Sequence, residues 1–335
     1  MKVFILRKIG DASQSEIPVP NPGLNEKLVR VSACGLCRTD AKMWTSGQRD
    51  MVLPRVLGHE ICGVETRSGR RVVIWPGAAC GNCDACQNRH ENLCSSIQIL
   101  GFNCDGGLAE YVVAPSSSLI PIPDILPSVT ATLTEPLGSA VNAIEKLHLR
   151  QGQKLLVFGG GPLGLMLAFA ANKISGAFPS VVEPSLSRRK LAKSFLQSFG
   201  AEIFPETPKN IMFDAAVNAT SSPDSLICGL RNIRAGGAFC LFSGLLKDSE
   251  SVNSDIMNEI HYRELRLYGS YGCTRRQMRQ ALMLLSNHAD LAEQLISGIL
   301  PLGKTVCGLR NILERKGMKW VVTMNGMGKT VTRDR

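Results

Sequence analysis

No stretch of this 335-residue chain is apolar for long enough to span a bilayer, so a membrane-embedded protein is not expected. The opening MKVFILRKIGDAS carries only the short run VFIL before Arg7 and Lys8, too little for the apolar centre of a secretory signal. It reads better as a first β-strand, and the cytoplasm is the default location. Internal repeats and low-complexity tracts are also missing. Acidic side chains are the scarcer sign, 28 against 38 basic, for a net charge of +10. The basic residues are scattered, and the tightest groups, SRRK and TRRQMRQ, are short and carry no recognition motif. A nucleic-acid partner is therefore not expected; the excess suits an anionic cofactor or substrate. What remains is an ordinary globular composition, 44% hydrophobic and 20% charged, with length enough for two domains.

Cysteine is what the chain has in plenty: twelve, unevenly spread. In a cytoplasmic protein that number points to metal or catalysis rather than to disulfides. Cys80, Cys83, Cys86 and Cys94 lie in CGNCDACQNRHENLC, a C-x2-C-x2-C-x7-C spacing. Four thiolates can enclose one zinc tetrahedrally and leave no position open, which makes such a site structural. The interleaved Gly81, Asn82 and Asp84 suit the turns that aim successive thiolates inward. An iron–sulfur cluster is the rival for the same four thiolates, and zinc is favoured. Cys62, Cys104, Cys228, Cys240, Cys273 and Cys307 stand alone and are expected to be small buried hydrophobes without a role.

Up to about residue 135 the chain is rich in short β-type runs (KVFIL, KLVRVSA, RRVVIW, LAEYVVAP) separated by Gly, Pro and Asn, which predicts an irregular β-rich domain. The texture changes near Thr134. PLGSAVNAIEKLHL has helical spacing, and KLLVFGGGPLGLMLAFAANKISG reads as a buried strand, a glycine turn and an apolar helix. SVVEPS, FDAAVNAT and GAFCLFSGL continue the strands, with SRRKLAKSFLQSFGA and DSLICGLRNIRAGG as helices between them. Alternating strands and helices predict a parallel, doubly wound sheet with right-handed crossovers. After about Gly269 a helix, RRQMRQALMLLSN, and a strand, KWVVTM, form a tail that returns to the first domain.

The glycine turn FGGGPLGLM places Gly159, Gly161 and Gly164 in G-x-G-x-x-G spacing between a strand and a helix. Gly159 permits the tight turn, Gly161 lets a pyrophosphate approach the backbone, and Gly164 lets helix and strand pack closely. Pro162 and Leu163 open the helix whose N-terminus faces the phosphates. Glu183 ends the next strand, nineteen residues after Gly164, where a carboxylate accepts hydrogen bonds from an adenosine ribose and repels a 2′-phosphate. NAD is thus favoured over NADP, although Arg188 and Arg189 stand close by.

A second candidate site is split along the chain. CGLCRTD offers Cys37, Thr39 and Asp40, LGHE offers His59 and Glu60, and LTEPLG offers Glu135. Thiolate, imidazole and carboxylate are the donors of a catalytic zinc, which takes about three protein ligands and keeps one position exchangeable.

Together these features resemble the zinc-dependent medium-chain dehydrogenase/reductase superfamily, the alcohol, sorbitol and threonine dehydrogenases, in its polyol-type branch. The resemblance runs over nearly the whole chain, through CGLCRTD, LPRVLGHE, the cysteine cluster, DGGLAEYVVAP, TEPLGSAVNAI, VFGGGPLGLM, IRAGGAFCLFSGL and YRELRLYGSYG. It implies a GroES-like catalytic domain of residues 1–136 and 271–335, with a zinc lobe at about 78–96, and a Rossmann dinucleotide-binding domain of residues 137–270. Position by position it makes Cys37 and His59 ligands of a catalytic zinc, with Glu135 at the third ligand position and Glu60 able to join or exchange. Asp40 would brace His59 from behind, and Thr39 would pass the substrate proton. Gly159, Gly161, Pro162, Leu163, Gly164, Glu183 and Arg188 would hold the cofactor. Two zinc ions per chain, NAD rather than NADP, a small polar alcohol or ketone as substrate and a homodimer or homotetramer are the further implications. The implied activity is hydride transfer from a secondary alcohol (a polyol, sugar-derived alcohol, cyclitol or hydroxy amino compound) to nicotinamide.

Two departures stand out. The segment from Glu60 to Cys80 is short, as if a hairpin had been trimmed to a turn near Ser68 and Gly69. Lys42 occupies the place where many relatives carry a proton-relay histidine, so the relay through Thr39 would end at cofactor hydroxyls and solvent, or use Lys42. Trp44, Arg49, Phe102 and Asn103 are candidates for the pocket wall, each equally readable as packing or loop. The alternatives are a carbonyl reductase of the same fold using NADPH, and a nucleotide-binding zinc protein without catalysis.

Overall fold

The strand Glu26–Leu36 shows why its domain is a sheet with one wet and one dry region. Its first half alternates, Val29 and Val31 inward and Arg30 outward, while Ala33–Leu36 is buried on both faces. In the computed structural model, which describes residues 1–245 and 254–324, this strand is the centre of the larger β-rich sheet. On one side it pairs antiparallel with Glu60–Glu65, which pairs with Arg71–Ile74 and then Leu119–Pro121. On the other side its first half pairs with Tyr111–Pro115 and its second half with Lys319–Thr323. Ile296–Pro301 closes that edge, parallel to Lys319–Thr323. A three-stranded sheet of Asp11–Glu16, Lys2–Lys8 and Arg55–Val56 lies in the same unit. The core beneath is built from Phe4, Leu6, Val31, Leu36, Met43 and Ile61.

The chain divides into two compact units, one of Met1–Glu135 with the segment from Thr274 onward, and a second of Pro136–Cys273. The second unit holds a six-stranded, fully parallel sheet in the order Glu202–Phe204, Phe178–Val182, Lys154–Phe158, Phe213–Asn218, Ile233–Leu241, Arg266–Gly269. This is the doubly wound order, with the chain reversing direction across the sheet at Lys154–Phe158 and Phe213–Asn218. Leu156, Phe158, Phe213, Leu230, Ile233 and Phe239 form its core.

Two sequence expectations need correction. The helix drawn through DSLICGLRNIRAGG stops at Asn232, whose side-chain amide turns back to donate to the Cys228 carbonyl at 2.8 Å. Ile233, fully buried and β-branched, instead opens a strand paired with Phe213. Of the six isolated cysteines, Cys62, Cys240 and Cys273 are buried, Cys104 and Cys228 are half-buried, and Cys307 is exposed. Among the described residues no helix is long and apolar enough to cross a membrane.

Candidate functional site

Cys37 stands at the seam between strand and helix. It follows the strand Glu26–Leu36 and caps the helix Arg38–Ser46, with extended backbone at φ −107° and ψ 156°. Asp40, three residues on, accepts the Cys37 backbone N–H through Oδ2 at 2.8 Å. That bond closes a capping box and pins the thiol at the helix entrance. The other oxygen of Asp40, Oδ1, lies 3.4 Å from His59 Nδ1, an ion-pair distance that is long for a hydrogen bond, with Asp40 fully buried. Thr39 Oγ1 lies 3.6 Å from Cys37 Sγ.

His59 is 6% exposed and meets the edge of Phe102, ring centroids 5.2 Å apart. Burial, the largest single influence, pulls its pKa down, but the charge of Asp40 and the proximity of Asp40 and Cys37 together push harder, and the net direction is well above the ordinary value. Glu60 begins the next strand, fully buried, and pairs with Lys319 Nζ through Oε1. Cys37, His59 and Glu60 place their donor atoms within 4.8 Å of one another. Sulfur, imidazole and carboxylate at that spacing fit a single zinc ion with room for a further ligand. One unsatisfied polar atom points the same way: Glu60 Oε2 is buried without a hydrogen-bond partner among the described residues, whereas Asp40 Oδ1 and His59 Nδ1 face each other.

Glu135 opens the helix Thr134–Leu147 and falls outside that three-residue donor set. It is still within electrostatic reach. Burial above all pushes its carboxyl up to about 7; His59 and Lys319 oppose the rise, and the Glu60 and Asp40 charges add to it. Lys42 is exposed on the helix Arg38–Ser46. Phe102 and Trp44 pack on the core, Arg49 pairs with Asp50 at 2.9 Å, and Asn103 accepts the Ile99 N–H at 2.7 Å to hold a turn. Lys319 is a member of the site that local sequence does not single out. The available signal is a lysine at the head of the apolar strand KWVVT, where it is 5% exposed.

The four clustered cysteines form a separate cage. The short strands Gly77–Ala78 and Gln98–Ile99 pair at its base. Cys83 caps the short helix Asp84–Gln87, which carries Cys86, and Cys94 follows the turn Glu91–Leu93. Sulfur separations are 3.5 Å for Cys83–Cys86, 3.5 Å for Cys80–Cys94 and 3.9 Å for Cys80–Cys86. Sulfurs about 2.3 Å from a tetrahedral zinc stand about 3.8 Å apart, so the cage has the size of that ion. Backbone N–H groups of Asn82 and Cys83 pull Cys80 down to about 6, whereas desolvation and the neighbouring thiols push Cys86 up to about 12. Four thiols in one cage ionise together only around a cation. Arg275 lies beside the cage, over the Trp75 ring at 5.7 Å and 3.5 Å from Glu91 Oε1.

In the parallel unit Gly161 caps the helix Pro162–Ser175, with Pro162 in its first turn and Leu163 behind it. Gly159 has φ +106°, which L side chains rarely adopt, and a Cβ on Gly164 would overlap the Gly159 carbonyl oxygen. Glu183, 6% exposed, accepts the Gly160 N–H at 2.9 Å through Oε2 and the Ser185 N–H at 3.0 Å through Oε1. Arg188 Nη1 comes within 3.2 Å of where a Gly161 Cβ would be. Arg189 turns away to the carbonyls of Glu183 and Pro184, at 2.8 and 2.6 Å.

The family model described as "Alcohol dehydrogenase GroES-like domain" matches residues 23–124. The L-threonine 3-dehydrogenase of Pyrococcus abyssi (strain GE5 / Orsay) is 34% identical over 278 residues, covering 77% of this chain and 78% of its own. The L-galactonate-5-dehydrogenase of Escherichia coli (strain K12) is 28% identical over 319 residues, covering 90% and 92%. Among solved structures, an alcohol dehydrogenase of Thermotoga maritima superposes with a TM-score of 0.88 at 19% identity, over 96% of this chain and 98% of that one.

Proposed function

The chain belongs to the zinc-dependent medium-chain dehydrogenase/reductase superfamily, and from that premise we propose that it moves hydride from a secondary hydroxyl of a polar substrate to NAD. The observation that carries this reading is the convergence of Cys37 with the adjacent pair His59 and Glu60, more than twenty residues further on, on donor positions within 4.8 Å. When bound, zinc supplies the Lewis acidity that lowers a hydroxyl pKa, and nicotinamide supplies the hydride acceptor. The chain's own residues do the rest. Asp40 sets the orientation of His59 and leaves Nε2 for a ligand. Thr39, 3.6 Å from Cys37 Sγ, would take the substrate proton. Glu135, whose carboxyl burial above all pushes up to about 7, is a buried acid able to hold a proton at neutral pH beside the donor set; as a metal ligand it would be ionised.

For the cofactor, Glu183 supports NAD. Its carboxylate is fastened at the glycine turn, where an adenosine ribose docks in this fold, and a 2′-phosphate would meet its charge. For the substrate, the two curated relatives are named for oxidation at an internal carbon of a hydroxylated acid. A polyol, sugar acid, cyclitol or hydroxy amino compound follows for this chain. Assembly into a homodimer or homotetramer, work in the cytoplasm and a second, structural zinc in the Cys80–Cys94 cage belong to the same proposal.

A screen for NAD⁺ reduction across polyols, sugar acids, cyclitols and amino alcohols, with the zinc-loaded protein, tests it. NADH formation with a member of the panel, and much slower reduction of NADP⁺, are expected. Tight NAD binding with no turnover on any of them would overturn the enzymatic reading.

A further inference from the structure

Glu60 and its partner Lys319 are not on neighbouring strands. Glu60 lies opposite Gly35 on the strand Glu26–Leu36, and Gly35 lies opposite Val321 on Lys319–Thr323. Lys319, two residues before Val321, projects on the same face. The carboxylate therefore reaches its ammonium partner across an intervening strand. It can do so because that strand is bare at the crossing: a Cβ on Gly35 would overlap Glu60 Oε2 and stand 3.1 Å from Glu60 Cβ. Glycine is needed there for space, since Gly35 is not among the residues with positive φ.

The pair that results is buried, with side-chain exposures of 6% for Lys319 and 0% for Glu60. Lys319 takes Oε1 of the carboxylate, while Oε2 has no hydrogen-bond partner among the described residues. Glu60 is at the same time a member of the donor set with Cys37 and His59. One carboxylate thus stands between two cation positions, an ammonium fixed by the fold and a metal position. A buried carboxylate without a partner is costly, so whatever Lys319 does not hold falls to the metal.

We propose that Lys319 is a positioning residue that restrains Glu60 through the gap at Gly35, keeping the carboxylate from closing fully on the catalytic metal and so keeping a coordination position exchangeable. The proposal rests on the reading of Cys37, His59 and Glu60 as a metal centre. It sets a direction opposite to that of a merely structural ion pair. Losing a structural pair loosens the site; losing a restraint tightens the metal.

The test is the rate at which a chelator strips zinc from the folded protein, read with a chromogenic zinc indicator, in wild type, Lys319→Met, Lys319→Arg, Glu60→Gln and Glu60→Gln/Lys319→Met. Cys37→Ser identifies the catalytic-site phase, which it lacks. Lys319→Met is expected to slow that phase roughly 10- to 100-fold, the scale on which neighbours of metal ligands act. Lys319→Arg restores the wild-type rate. In the Glu60→Gln background the Lys319→Met change has no effect on release. Cobalt-substituted Lys319→Met protein shows a shifted visible spectrum, because the carboxylate closes further on the metal. Unchanged or faster release in Lys319→Met, or the same slowing in the Glu60→Gln background, would overturn the proposal. Should Lys319→Met fail to fold, Lys319→Gln, which keeps a hydrogen bond but no charge, is read by the same criteria. A wild type whose metal content does not fall in Cys37→Ser would instead remove the metal-centre reading itself.

Discussion

Glu183 commits both carboxylate oxygens to backbone N–H groups, one on the glycine turn and one on the helix start. Replacing it frees the Gly160 and Ser185 N–H groups and, on the proposed reading, also removes the acceptor for the cofactor ribose. Bonds to a charged group contribute about 1.5–3 kcal/mol each. Glu183→Ala is therefore expected to raise the KM for NAD roughly 10- to 100-fold while moving the KM for NADP far less, measured by initial rates with each cofactor. Equal effects on both would remove Glu183 from cofactor selection. Glu183 was legible in the sequence because its spacing from the glycine turn is set within one strand–helix–strand unit. Lys319 was not. Its partner Glu60 is 259 residues away, and local sequence does not reveal that the strands carrying them flank the one that holds Gly35.

At the scale of elements, the trimmed segment after Glu60 is a tight hairpin, Glu60–Glu65 turning into Arg71–Ile74. Glu65 stitches the turn, accepting the N–H of Arg67 at 3.0 Å and of Ser68 at 2.8 Å. The Ser68 hydroxyl first, then these backbone donors, hold its carboxyl below the ordinary range against a smaller effect of burial. A group depressed in the folded state stabilises it above the unfolded pKa of about 4.3, and that contribution is lost as pH falls through the folded pKa. Glu65→Gln should thus melt below wild type at pH 7, and the gap should shrink as the pH is taken down through about 4. A gap constant with pH would contradict this role. The turn itself was readable from Ser68 and Gly69, but the stitch was not, since a glutamate at the end of a strand has many possible partners. The glycine turn was readable for a stronger reason: Gly164→Ala would drive a Cβ into the Gly159 carbonyl, and few other residues fit. That variant is expected to lose NADH binding, followed by nicotinamide fluorescence; undiminished binding would show that the helix can shift to admit it.

On the scale of the whole molecule, strands alternating with helices spelled out the parallel unit, and the return of the tail followed from KWVVTM. The order in which the β-rich strands neighbour one another was not legible, because antiparallel pairing across long gaps leaves no local mark. The cage of Cys80, Cys83, Cys86 and Cys94 is closed and stands apart from the Cys37, His59 and Glu60 set. Cys83→Ser should release one zinc and open residues 79–95 to proteolysis while the remaining protein resists. Any assembled form should dissociate before hydride transfer fails, followed by light scattering alongside turnover. Lost turnover in a Cys83→Ser protein that is still folded and assembled would place chemistry at the cage. The central claim is that catalysis belongs to the sparse set and not to the dense one. Zinc content and turnover of Cys37→Ser, measured on the same folded sample, test it most directly. The expected result is a fall from two zinc ions per chain to one, an intact cage and turnover lower by about 100- to 1,000-fold, the scale for loss of one principal electrostatic element. Two zinc ions retained, or turnover near wild type, would contradict it.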